Sequence, residues 1–108
     1  MGREMERLIR EGDNIGSWTN KGAGFYSPQV LLQKAEELRV LAFQKYQANT
    51  RESLKEAFVM MMRFAKFHDL IRSHKGVQKD SAAFQKLRRD LLTVVDALEE
   101  LKPRLLKL

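Results

Sequence analysis

From Phe84 to the end of the chain, the residues Leu87, Leu91, Val94, Leu98, Leu101, Leu105 and Leu108 follow at alternating intervals of three and four without a miss. Only a helix with one apolar stripe satisfies that spacing, because a strand would need alternation by two. Asp80 or Ser81 stands where it can cap the start of this helix. Over some 25 residues the helix would be roughly 38 Å long, more than partner helices of about 20 residues can cover, so part of the stripe is left for something else to pack on. Pro103 falls inside the pattern. It lacks an amide proton and disfavours helix at Lys102, so the expected helix spans residues 81–102 and its last turn kinks or frays.

Two more helices precede it. Ser27 followed by Pro28 is a helix start, since the serine hydroxyl accepts an orphan amide and proline at the first helical position gives up nothing. A helix over residues 28–48 then places Leu31, Ala35, Leu38, Ala42 and Tyr46 on one stripe, with Lys34, Glu37 and Lys45 off it. Asn49 and Thr50 interrupt, and Thr50 caps a helix over residues 51–75 whose Leu54, Ala57, Phe58, Met61, Phe64, Ala65, His68 and Ile71 share a face. The stretch from Phe58 to Met62 is apolar at every position, which predicts neighbours on more than one side and a central place in the fold. Gly76 follows its end.

The first 26 residues read differently. Met5, Leu8 and Ile9 have helical spacing among charges, a short amphipathic helix that is marginal unless it docks. From Gly12 to Tyr26 the chain turns to Gly, Asn, Ser and Thr, with Gly12, Gly16, Gly22 and Gly24 as breakers and Trp18, Phe25 and Tyr26 as apolar anchors. The expected organisation is therefore an accessory helix and Gly-rich linker arm over residues 1–26 and a helical domain over residues 27–108. Short connections imply antiparallel neighbours, so the expected class is all-α, a three-helix up-down-up bundle.

Composition narrows the chemistry. A chain of 108 residues supports one core. With 44% hydrophobic and 31% charged residues it is globular rather than disordered. It has no cysteine, which excludes disulfides, thiolate metal sites and thiol nucleophiles. No apolar run reaches the roughly 20 residues of a membrane span, and the charged start does not resemble a signal peptide, so a soluble, cytoplasmic protein is expected.

Catalytic and metal constellations fail on spacing. His68 and His74 are six residues apart, which puts them on different helical faces, and no HExxH surrounds them. The reading is a core or boundary role for His68 and a solvated His74. Glu36 with Glu37, and Glu99 with Glu100, diverge around a helix and form no converging acid and base. The glycines from Gly12 to Gly24 contain no GxxxxGK[ST] phosphate loop. Met60, Met61 and Met62 read as core filling before an adaptable binding surface. No cofactor is called for, and the chain is expected not to be an enzyme.

What remains is charge. The net charge is +6, and Arg72, Lys75, Lys79, Lys86, Arg88 and Arg89, against Asp80 and Asp90, form a basic cluster at the last connection and the start of the final helix. It is the best electrostatic candidate for a partner site, weighed against a solvated turn that keeps the protein soluble. Without interleaved exposed aromatics, nucleic acid ranks well behind protein as its partner.

LLQKAEELRVLAFQKY at Leu31 to Tyr46, EAFVMMMRFAKFHDLI at Glu56 to Ile71 and LEELKPRL at Leu98 to Leu105 span about two thirds of the chain. In this order they resemble the N-terminal domain of endosomal deubiquitinases, the AMSH-type metalloproteases and a related thiol-type ubiquitin hydrolase. That domain is a variant of the microtubule-interacting and trafficking (MIT) domain; the last motif is similar to plant AMSH-like proteins. The resemblance implies an MIT-like bundle that docks on acidic amphipathic tails of ESCRT-III subunits at endosomes, sometimes self-associates, and leaves ubiquitin cleavage to a separate domain. Neither the cysteine of the thiol mechanism nor an HxH plus Asp set for zinc occurs here, so the chain corresponds to the targeting part. Two alternatives stand beside docking: a homo-oligomeric element pairing through the last helix or the N-terminal arm, and a basic helical binder of nucleic acid or anionic lipid, with peripheral membrane contact.

Overall fold

The computed structural model of the protein describes residues 2–15 and 26–107. They form four helices, α1 (Gly2–Asp13), α2 (Pro28–Ala48), α3 (Arg51–Ser73) and α4 (Ala82–Lys107), and no strand occurs among the described residues. The expected anchors Trp18 and Phe25, and Leu108 at the end of the stripe, lie outside the described residues.

The helix boundaries follow the local chemistry. Ser27 Oγ accepts the Val30 amide at 3.3 Å, with Pro28 opening α2. Asn49 closes α2 in the left-handed region at φ 56°, a conformation its short amide side chain tolerates. The next residue starts α3: Thr50 Oγ1 accepts the Ser53 amide at 3.1 Å while Ser53 Oγ accepts the Thr50 amide at 2.8 Å, a reciprocal box. Between the two expected caps of α4, it is Ser81 whose hydroxyl accepts the Phe84 amide, at 3.2 Å.

Two ends differ from the sequence reading. Helix α3 stops at Ser73 rather than Lys75, because His74 turns extended and its own amide donates to the Ile71 carbonyl. Helix α4 runs through Pro103 to Lys107. Leu101 and Leu105 on either side of the proline are buried at 0% and 8% exposure, so the last turn is held to the core by its apolar face even though one amide is missing. Pro103 itself is exposed.

Cross-helix pairs fix the directions. Lys45–Glu56 at 2.9 Å sits by the two-residue turn and His74–Tyr26 at the far end, so α2 and α3 are antiparallel. Lys86–Glu36 at 3.6 Å and Arg104–Asn49 at 2.8 Å advance together along α2 and α4, which are parallel. Lys55–Glu4 and Lys66–Asp13 advance together along α1 and α3. Helix α3 packs against all three others, as its apolar run predicts. Its Met61, Phe64 and Ile71 are fully buried, and Met60 and Met62 pack at the edge of the core, so the methionine run is chiefly core.

Helix α1 docks, burying Met5 at 7% and Leu8 at 3% exposure in the same core as the longer helices. Gly12 belongs to this helix and not to the arm. A methyl group there would overlap Met62 Cβ and stand 3.0 Å from Met62 Cγ, so the absence of a side chain lets α1 lie against α3. No helix among the described residues is long and apolar enough to cross a membrane.

Candidate interaction surface

The last turns of α3, the connection and the first turns of α4 bring the basic residues together unevenly. Arg72, Lys79 and Arg88 line one cavity of 310 Å³ with His68 and Phe84. The Lys79 carbonyl is held by Gln85 Nε2 at 3.0 Å, which folds the connection back onto α4. Lys86 points to the other side of α4, donating to Asp90 Oδ2 at 2.8 Å and lying 3.6 Å from Glu36. Its charge is thus compensated by carboxylates on two helices. Lys75 and Arg89 are exposed and do not line the cavity. The sequence cluster therefore splits into a converging trio, a neutralised lysine and two solvated cations.

Glu36 is the hub of the neutralised side. Arg39 Nε donates to it at 2.6 Å, and that hydrogen bond, with Lys86 adding its charge, holds the Glu36 carboxyl below the usual range. At the far end of the same helix pair the Glu100 carboxylate, together with burial, pushes the Tyr46 hydroxyl up.

His68 is a core residue, as expected. It is 5% exposed, stacks on Phe84 with ring centroids 5.9 Å apart, and burial pushes its pKa down, with Arg72 and Arg88 acting the same way and Asp69 opposing. His74 is not the solvated residue that the sequence suggests. Its Nδ1 accepts the Gly76 amide at 2.8 Å, so Nε2 carries the proton and donates to the Tyr26 carbonyl at 2.9 Å. It ties the end of α3 to the residues entering α2. Nothing local in the sequence marks that role, because the partner carbonyl is 48 residues away.

Two grooves escaped the sequence reading because both need α1 in place. One, of 520 Å³, lies between α1, α2 and α3 and is rimmed by Arg7, Glu11, Lys45, Glu56 and Arg63, with Leu8, Val59 and Met60 at its base. The other, of 180 Å³, is almost wholly apolar: Ile9 of α1, Phe58 and Met62 of α3 and Leu98 of α4, with Glu99 and Lys102 beside them. Along α4, Leu92 and Leu106 stand seven residues before and after Glu99, on the same outer stripe of the helix. Leu92 is 67% exposed and Leu106 39%.

The arrangement offers surfaces rather than reactive groups. Among the described residues no His, Asp and Glu side chains are grouped so as to hold a metal ion. No curated protein and no solved structure matches the chain. The family described as the USP8 dimerisation domain matches residues 2–108, nearly the whole chain, and the protein belongs to that family.

Proposed function

We propose that the chain is a non-catalytic module that holds protein chains together, pairing with a second copy along the open flank of α4. The observation that carries this is the stripe of Leu92 and Leu106 on α4, whose Leu98 also walls the apolar groove with Ile9 and Met62. Large apolar side chains exposed on a helix that also walls an apolar groove are what an interface leaves open when its partner is absent. A domain whose family is one of dimerisation supports the same reading. Sedimentation equilibrium at rising concentration tests it: a dimer is expected, and Leu92→Glu should shift it toward monomer. A monomer at all concentrations would exclude pairing.

The finer reading is that α2, α3 and α4 form an MIT-like three-helix core running up-down-up, with residues 1–26 as an accessory helix and arm. In that reading the module belongs to a cytoplasmic deubiquitinase or adaptor of the AMSH type and targets it to ESCRT-III on endosomes. An acidic amphipathic tail would meet Arg72, Lys75, Lys79, Lys86, Arg88 and Arg89. The convergence of Arg72, Lys79 and Arg88 on one cavity supports this, while the pairing of Lys86 with Glu36 and Asp90 makes it the weakest contributor. Titration with ESCRT-III tail peptides should give saturable binding that weakens on Arg88→Glu. Absence of binding to any tail would remove the targeting reading and leave dimerisation standing.

A further inference from the structure

Arg72, Lys79 and Arg88 line one cavity, and none of them has a carboxylate in ion-pairing reach among the described residues. Their sequence neighbour Lys86 shows the usual solution, two acids within 3.6 Å. Like charges around one cavity without compensation repel, and an anion between them would relieve that. The wall they share holds a second uncompensated group. The His68 side chain is only 7% exposed, and neither ring nitrogen has a hydrogen-bond partner. The nearest acid, Asp69, stands 3.9 Å from Nδ1, beyond hydrogen-bonding distance. A buried polar group without a partner calls for a physical reason. The ring nitrogens have almost no exposed surface, so it is the three cations that an anion in the cavity would answer, with the imidazole in the wall beside it.

The geometry points to an oxyanion pocket in this cavity, one that takes a phosphate group, either free or carried as a monoester on a side chain of a partner protein. A phosphate carries a charge of about −1.5 to −2 and three acceptor oxygens, a closer match to two guanidinium forks and an ammonium than a single carboxylate. The volume of 310 Å³ leaves room for the residue that bears the ester, and Phe84 supplies an apolar wall for its carbon atoms. This deepens the reading of the basic surface as a partner site and rests on that reading only for the identity of the carrier. The groups facing His68 are Asp69 and Arg72 from α3, Lys79 from the connection and Arg88 from α4. A bound phosphate beside the ring would favour its protonation through its charge, so the imidazole reports occupancy.

The test is titration of the full chain with inorganic phosphate at constant ionic strength, followed through the His68 ring and the amides of α4 by NMR. One saturable site is expected. Arg88→Gln should weaken it about tenfold, as the loss of a charge-assisted hydrogen bond does, and Lys86→Gln should change it less than about twofold because that charge is already paired. Both positions are exposed, so neither variant threatens the fold. Unsaturable shifts, or equal affinity in wild type, Arg72→Gln and Arg88→Gln, would overturn the pocket. A second arm compares an acidic peptide bearing phosphoserine with the same peptide bearing serine. Tighter binding of the phosphopeptide than of free phosphate assigns the carrier as protein, and equal binding assigns the free ion. If both peptides bind alike and inorganic phosphate does not bind, the pocket is refuted while the acidic-tail reading survives. If phosphate binds and acidic ESCRT-III tails do not, the tail reading falls and the pocket stands.

Discussion

Gly12→Ala is the substitution whose outcome the packing of α1 fixes most sharply. On helix propensity alone alanine should stabilise α1 by about 0.5–1 kcal/mol. The structure reverses the sign. The new methyl would overlap Met62 Cβ and lie 3.0 Å from Met62 Cγ and 3.4 Å from the Val59 carbonyl oxygen. Carbon atoms at ease sit about 3.5–4.0 Å apart, so α1 must withdraw by at least about 0.5 Å for Met62 Cγ alone and by more for Cβ. Rotating Met62 moves Cγ but leaves Cβ, which is fixed to the backbone. Helix α1 must therefore lift at its C-terminal end, where Ile15 follows at 8% exposure and Leu8 lies one turn back at 3%. Overpacking of this kind destabilises by roughly 1–3 kcal/mol. After the propensity gain, a net loss of up to about 2.5 kcal/mol is expected. Urea unfolding measures it, and amide exchange over residues 3–13 should quicken before that of α3. Met62→Ala would not rescue the variant, since it keeps Cβ, whereas Met62→Gly should restore α1 docking at the expense of α3. A stabilising Gly12→Ala, or rescue by Met62→Ala, would refute the close approach of the two helices.

Other perturbations test the remaining contacts. For His68, whose pKa is lowered by burial, both folded and unfolded chains hold a neutral ring above the ordinary value of 6.5; as pH falls below it only the unfolded chain takes up the proton, so stability should decline there. Urea midpoints compared between neutral and mildly acidic pH should show a shallower decline in His68→Phe than in the wild type. Thr50→Ala removes the hydroxyl that accepts the Ser53 amide in a two-residue turn and should cost about 1 kcal/mol by thermal melting, with Thr50→Ser nearly neutral. Pro103→Ala supplies the missing amide inside α4 and should stabilise the chain by about 1 kcal/mol or more, while Leu101→Ala, at 0% exposure, should cost about 2–5 kcal/mol. Equal effects from the two neighbours would contradict a last turn held by its apolar face.

The start of α2 at Ser27 and Pro28, the Asn49–Thr50 break and the central place of α3 were all legible from residues within a few positions of each other, because caps and helical stripes are local chemistry. Helix α3 ends two residues before the expected Lys75, since the sequence marks the stop only by Gly76 while the structure sets it at His74, which bonds to Gly76 and to the distant Tyr26. Pro103 shows the opposite error. A local rule ended the helix, and two buried leucines kept it going.

The candidate surface divides in the same way. The sequence by itself determined an all-helical chain with a basic cluster at one connection, because periodicity and charge are properties of the residues in order. Only the tertiary structure decided that Lys86 is neutralised across α2 while Arg72, Lys79 and Arg88 converge over a buried imidazole. It alone decided that Gly12 is a point of contact and not a break, and that Ile9 of α1 completes an apolar groove with Phe58, Met62 and Leu98. Whether two charges compensate, or a methyl group fits, depends on residues dozens of positions away and on the distances that packing sets between them.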